Sequence, residues 1–242
     1  MRPGPYPYLI IVYWYTCLAG RQVGILKIET LNDAIIKVME SPHLEFEKEV
    51  WATGGLVCGI DEVGRGCIAG PVVAAAVIFD PDHQLHPKVR DSKKMTPKMR
   101  AEMFDFIISE AWDFGVGLVP ASVVDEIGIV PATKKAMAEA VGMLTEAPDQ
   151  LLIDAVILED VDIPQKSIIK GDNTSYSIAA ASIVAKVFRD QVVSGFDNIY
   201  PEYGFSGHKG YGAKSHYEAI GKHGLTPEHR RTFCTRIEVV DK

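Results

Sequence analysis

The sequence predicts an α/β fold, a mixed sheet with helices on its faces, and three observations carry that prediction. Two apolar runs of strand length, "GLVCGID" (55–61) and "GPVVAAAVIF" (70–79), flank a glycine-rich turn and read as a hairpin. The second run is almost continuously apolar, the pattern of a strand covered on both faces. After this hairpin, strand and helix patterns alternate, as helices packed on a sheet require. At 242 residues and 47% hydrophobic content, the chain holds enough apolar material for the core of one large domain.

Taken in order, "HLEFEKEVW" (43–51) pairs Leu44 with Trp51 and Phe46 with Val50 at helical spacing, predicting an amphipathic helix that leads into the hairpin. Thr96 and Pro97 supply an N-cap and a first-turn proline, and Met99, Met103, Phe106 and Ile107 then share one helix face. "DFGVGLVPA" reads as a short strand. "ASVVDEIGI" and "VPATKKAMAEAVGML" read as helices, the second packed by one side. "DQLLIDAVIL" predicts a buried strand with Asp154 at its end. "SIIKGDNTSYSIAAASIVAKVFRD" gives a short strand, a loop holding Asp172, and a helix starting at Thr174 or Ser175. The alanines of that helix read as a small-residue face packed on the sheet.

The first forty residues stand apart. "YPYLIIVYWYTCLAG" is shorter than the ~20 residues of a spanning helix, and Arg2 alone is a thin basic start for a signal peptide. No membrane anchor is expected. "YLIIVYWYT" and "QVGILKIE" fit a hairpin around Ala19-Gly20-Arg21, followed by a short helix near Leu31 to Met39. A translation start set too far upstream is the other reading, since Met39 directly precedes the conventional part. The expected organisation is an extension over 1–40 and a domain over 41–242.

Four cysteines at 17, 58, 67 and 234 show neither C-x-x-C pairing nor metal-ligand spacing, so neither a zinc site nor a disulfide framework is suggested and a reducing, cytoplasmic setting is expected. Net charge is −7, so a whole-chain test gives no sign of a polyanionic partner. The segment from Pro164 onward carries 11 Lys/Arg against 8 Asp/Glu, however, so the basic residues gather late in the chain.

Asp61, Glu62, Asp154 and Asp172 each follow an apolar strand, and in α/β sheets such strand ends meet at one edge, where ligands bind. A single aspartate there is ordinarily a turn former or cap. Four together repel: two unit charges ~4 Å apart at an effective dielectric of about 20 oppose each other by roughly 4 kcal/mol. Raised pKa values or bound divalent cations offset such repulsion. An all-carboxylate set suits a hard ion such as Mg²⁺, and a pair of such ions suits phosphodiester hydrolysis. Because adjacent strand residues face opposite ways, Asp61 and Glu62 share a site only if the strand ends or bulges, or a backbone carbonyl joins in; Gly64 makes an irregularity plausible. The loop before the helix at 174 is expected to offer free N–H groups near Asp172, and a helix start favours anions, with Lys170, Lys186 and Arg189 nearby in sequence.

GIDEVGRG, LLIDA, KGDNTSYSIAAASIVAKVFRD and GYG, in this order, closely resemble bacterial ribonuclease HII from about Leu44 to about Phe233. That resemblance implies a ribonuclease H-like mixed sheet flanked by helices, with a helical C-terminal portion from about 195 that helps form a nucleic-acid groove. It implies cleavage of RNA in RNA–DNA hybrids and incision 5′ to single ribonucleotides in duplex DNA, leaving 3′-hydroxyl and 5′-phosphate ends, with two Mg²⁺ or Mn²⁺ ions. The metal-binding acids fall on Asp61, Glu62, Asp154 and Asp172. The glycine-arginine-glycine element falls on Gly64, Arg65 and Gly66, and a sugar-stacking tyrosine on Tyr211. "DSKK" (91–94) matches a family segment whose Ser92 and Lys93 are candidates for phosphate contact. The physical chemistry agrees: only the 2′-OH separates RNA from DNA at one nucleotide, and glycines let backbone approach it. Lys209, Lys214, Lys222, Arg230 and Arg231 are expected to supply duplex-backbone affinity. The chain departs from the family pattern at Cys67, where proline is usual, and at Ala213, where threonine is common.

The expected partners are therefore RNA–DNA hybrid and ribonucleotide-containing duplex, bound by a monomer. Two rival readings are a catalytically silent hybrid-binding protein and another metal-dependent nuclease of the same fold, such as a strand-transfer enzyme. The full set of acids argues against the first, and the GRG element with Tyr211 argues against the second, since DNA-only chemistry has no 2′-OH to sense.

Overall fold

The computed structural model describes residues 42–83 and 85–235. The hairpin and short helix expected in the first forty residues lie outside the described residues. After helix α1 (Glu45–Trp51) come strands β1 (Val57–Val63) and β2 (Val72–Ile78), helix α2 (Pro97–Glu110) and strand β3 (Asp113–Val119). Helices α3 (Ala121–Ile127) and α4 (Ile129–Gly142) follow, then strands β4 (Gln150–Asp154) and β5 (Gln165–Ile168) and the long helix α5 (Tyr176–Gly195). The C-terminal part holds two shorter helices, α6 (Phe205–His208) and α7 (Lys214–His223).

Among the described residues the sheet has five strands in the order β3-β2-β1-β4-β5. Strands β1 and β2 form the expected hairpin, β2 pairs antiparallel with β3, and β4 runs parallel to both β1 and β5. This is the mixed sheet that the sequence predicts. The run "DQLLIDAVIL" gives a shorter strand than expected. It stops at Asp154 because Ala155 turns to φ +54°, a left-handed conformation that extended pairing cannot follow.

Both faces of the sheet are covered, which explains the unbroken apolar run of β2, buried along its whole length. Helices α2 and α5 close one face over Val73, Ala75 and Val77; α4 closes the other over Val72, Ala74 and Ala76. The alanine face of α5 brings it very near the sheet. A Cβ on Gly59 would stand 2.2 Å from the carbonyl carbon of Ser177, so only glycine fits where β1 meets the helix. Helix α2 begins as its sequence predicts, with Thr96 accepting from the N–H of Met99 and Pro97 in the first turn. A smaller cluster of Ile68, Ala69, Val193, Tyr203, Phe205, Ala219 and Ile220 joins the C-terminal helices to the β1–β2 connection.

Candidate active site

Strand register brings the acids together. The parallel ladder between β1 and β4 ends at Ile60 opposite Ile153, and the next residue on each strand is an acid, Asp61 and Asp154. Each lies two residues beyond a position facing α5, Gly59 and Leu152, so strand alternation puts both on that face. Asp172 follows from the turn before α5, at 171–173. Glu62 sits on the opposite face of β1 by alternation. The irregularity expected at Asp61 and Glu62 is absent, because β1 stays paired with β2 through Val63. The turn comes later, at Gly64 with φ +92°.

Hydrogen bonds within the protein aim each acid. Asp61 accepts from the N–H of Glu62 at 2.7 Å, Asp154 from the N–H of Gly171 at 2.8 Å, Asp172 from the side-chain amide of Asn173 at 2.8 Å, and Glu62 from Arg65 at 3.2 Å. The second carboxylate oxygen of Glu62 is buried without a partner. Burial pushes Asp61 well above the ordinary carboxylate range, and the charges of Glu62 and Asp154 push it further. Burial also raises Glu62 against the pull of Arg65, and raises Asp154, where Asp172 adds to it. Lys93 lies 3.6 Å from Asp172. Burial works against its charge, yet Asp172, Asp61, Asp91 and Asp154 together hold its ammonium above the usual lysine range.

Hard oxygen donors, mutual repulsion and a buried orphan oxygen fit a divalent cation at this edge. Among the described residues no three His, Cys, Asp or Glu side chains are grouped closely enough to hold an ion by themselves.

Sequence reasoning misplaced several neighbours. Ser92 does not face outward: it is 4% exposed, and its hydroxyl lies 3.0 Å from that of Ser182, whose presence favours the charged form of Asp61. Its place is behind the acids. The start of α5 offers no free N–H groups to phosphate either. Those of Tyr176, Ser177 and Ile178 are taken by the His43 carbonyl, Glu47 and the Ser175 hydroxyl, so the carboxyl of buried Glu47 already occupies the helix end. Arg189 and Arg230 are fully buried, so they cannot bind phosphate as expected. Arg189 donates to the carbonyls of Ala69, Pro71 and Lys209, and Arg230 to those of Arg65 and Gly70. Both staple the 64–71 connection. Lys186 pairs with Asp190 at 2.7 Å, and Lys209 bonds Ser194, while Lys214, Lys222 and Arg231 remain at the surface.

The GRG element shows a division of labour. At Gly64 a Cβ would stand 2.2 Å from Nε of Arg189, so positive φ and close packing both demand glycine. At Gly66 a Cβ would meet nothing within 4 Å, and no contact inside the protein accounts for the residue. Arg65 is half exposed beside Glu62. Tyr211 is 42% exposed, with Lys186 5.4 Å and Arg189 5.9 Å from its ring. Cys67 is buried beside Tyr211, and its N–H donates to the Gly64 carbonyl at 3.3 Å, a bond that proline could not make. Ala213 occupies the N-cap of α7 and provides no side-chain bond there.

Comparison with known proteins decides what this edge belongs to. The family model described as Ribonuclease HII matches residues 58–238. The chain belongs to the ribonuclease HII family. The ribonuclease HII of Clostridioides difficile (strain 630) is 51% identical over 193 residues, spanning 79% of this chain and 75% of that protein. That of Lactobacillus helveticus (strain DPC 4571) is 52% identical, over 79% and 76%. Among solved structures, the ribonuclease H2 of Pyrococcus horikoshii OT3 superposes with a TM-score of 0.63 at 27% identity, covering 76% of this chain and 97% of that one. The ribonuclease HII of Archaeoglobus fulgidus, solved in complex with PCNA, gives 0.64 at 26% identity, over 74% and 94%. The fold is therefore ribonuclease H-like, and the chain is a metal-dependent ribonuclease H acting on RNA–DNA hybrids. No helix among the described residues is long and apolar enough to cross a membrane.

Proposed function

We propose that this ribonuclease HII incises 5′ to single ribonucleotides in duplex DNA as well as cutting continuous hybrids, with Asp61, Glu62, Asp154 and Asp172 holding two Mg²⁺ or Mn²⁺ ions. The observation that supports it best is adjacency: the acids of β1 run within two residues into the GRG turn, where Gly66 leaves an open backbone that nothing inside the protein requires. Bound divalent ions would supply an activated water and a counter-charge for the leaving oxygen.

The chain's own residues do the rest. Backbone at Gly64 to Gly66 approaches the 2′-OH of the ribonucleotide, held in shape by Arg189 and Arg230 from below. Arg65, already beside Glu62, contacts the phosphate next to the scissile bond. Tyr211 stacks on the following deoxyribose, where an extra hydroxyl would interfere. Lys93 places positive charge by Asp172 on the phosphate side. Ser92 and Ser182 orient Asp61 from behind. Lys214, Lys222 and Arg231 hold the duplex backbone, so binding weakens with salt.

The test offers a duplex carrying one ribonucleotide, beside an all-DNA duplex, with Mg²⁺ and then Mn²⁺. Incision 5′ to the ribonucleotide, with 3′-hydroxyl and 5′-phosphate ends and an intact control, is expected. Cleavage of continuous hybrid without incision at the single ribonucleotide would overturn the proposal.

A further inference from the structure

Behind Tyr211 lies a buried cluster of three histidines, His208, His216 and His229, exposed by 9%, 0% and 2%. Their hydrogen bonds fix every tautomer. The Thr226 N–H donates to Nδ1 of His229 at 2.9 Å, so the proton of that neutral ring sits on Nε2. Nε2 of His229 is 3.0 Å from Nε2 of His216, which must accept; Nδ1 of His216 then carries its proton and donates to the Tyr211 carbonyl at 2.9 Å. His208 completes the clamp. It accepts the Tyr211 N–H on its carbonyl and the Gly210 N–H on Nδ1, and its ring stacks on His216 at 3.9 Å. Both backbone groups of Tyr211 are thus tied into the cluster while its ring stays exposed. Burial pushes His216 and His229 down to about 4, which keeps both rings neutral as the relay requires.

We infer that His216 and His229 are positioning residues: a relay from Thr226 through both rings to the Tyr211 carbonyl sets the angle at which Tyr211 meets the sugar. This rests on Tyr211 being the sugar-stacking residue. Asparagine at 216 places an amide donor where Nδ1 stands, whereas glutamine places its amide near Nε2. H216N keeps the tether to Tyr211 and H216Q keeps the tie to His229.

The experiment measures KM and kcat on the single-ribonucleotide duplex for H216N, H216Q, Y211A and the H216Q/Y211A double variant, with thermal unfolding of each. H216Q should raise KM about fivefold, the worth of one hydrogen bond, with a smaller rise for H216N, which keeps the Tyr211 tether but loses the tie to His229, and no further rise when H216Q is added to Y211A. If Y211A raises KM while H216Q behaves as H216N does, the relay falls and the reading of Tyr211 stands. If Y211A changes nothing, both fall. Nitrogen chemical shifts of the wild-type histidines test the relay whatever the stability of the variants. His216 should carry its proton on Nδ1 and His229 on Nε2, and the opposite assignment at His216 overturns the inference.

Discussion

Two buried polar clusters, one of acids at the end of β1 and β4 and one of histidines behind Tyr211, are built to opposite rules. The histidines are complete: each ring nitrogen of His208, His216 and His229 has a partner, and two rings are held neutral by burial. The acids are not. Asp61, Glu62 and Asp154 are raised by burial or by each other, and one oxygen of Glu62 has no partner at all. A satisfied buried network makes the fold specific, while an unsatisfied one marks where a ligand completes it. On the proposed function both serve the same substrate, the acids by holding divalent ions at the reacting phosphate and the histidines by holding the tyrosine that reads the neighbouring sugar.

Removing a member of the complete cluster should therefore cost the most. His229→Ala leaves the Thr226 N–H and Nε2 of His216 without partners and opens a cavity, and denaturant unfolding should show a loss of about 2–4 kcal/mol. A loss under about 0.5 kcal/mol would mean that the cluster is not a network. A smaller change of opposite sign is expected at the edge of the same region. Ala213→Thr gives α7 the N-cap it lacks and should add about 1 kcal/mol, read in the same measurement.

Much of this was legible in the sequence, and the limits are instructive. Apolar runs ending in acids revealed the hairpin and the sheet end that carries Asp61 and Asp154, because strand alternation and burial are local signals. Thr96-Pro97 and Ser175 revealed helix starts for the same reason. The long-range pairings were not legible. Arg189 and Arg230 read as phosphate ligands because a sequence shows their charge but not the carbonyls of 65–71 and 209 that consume it. Nothing near α5 announces that Glu47, 128 residues before Ser175, closes its N-terminus. The histidines went unread because their spacing, at 208, 216 and 229, follows no motif; only the fold stacks them.

On the proposed function, the acid cluster is completed by divalent ions. That completion is tested most directly by the melting temperature of wild type and Asp61→Asn, without metal and across a Mn²⁺ titration. Since Asp61 titrates above its unfolded value, its charge costs the folded state stability at neutral pH, a cost that fades as pH falls toward the ordinary aspartate range. Without metal at pH 7 the variant should melt higher than wild type, and Mn²⁺ should raise the melting temperature of wild type much more than that of the variant. Equal metal shifts in the two proteins, or a less stable Asp61→Asn in the absence of metal, would contradict the account.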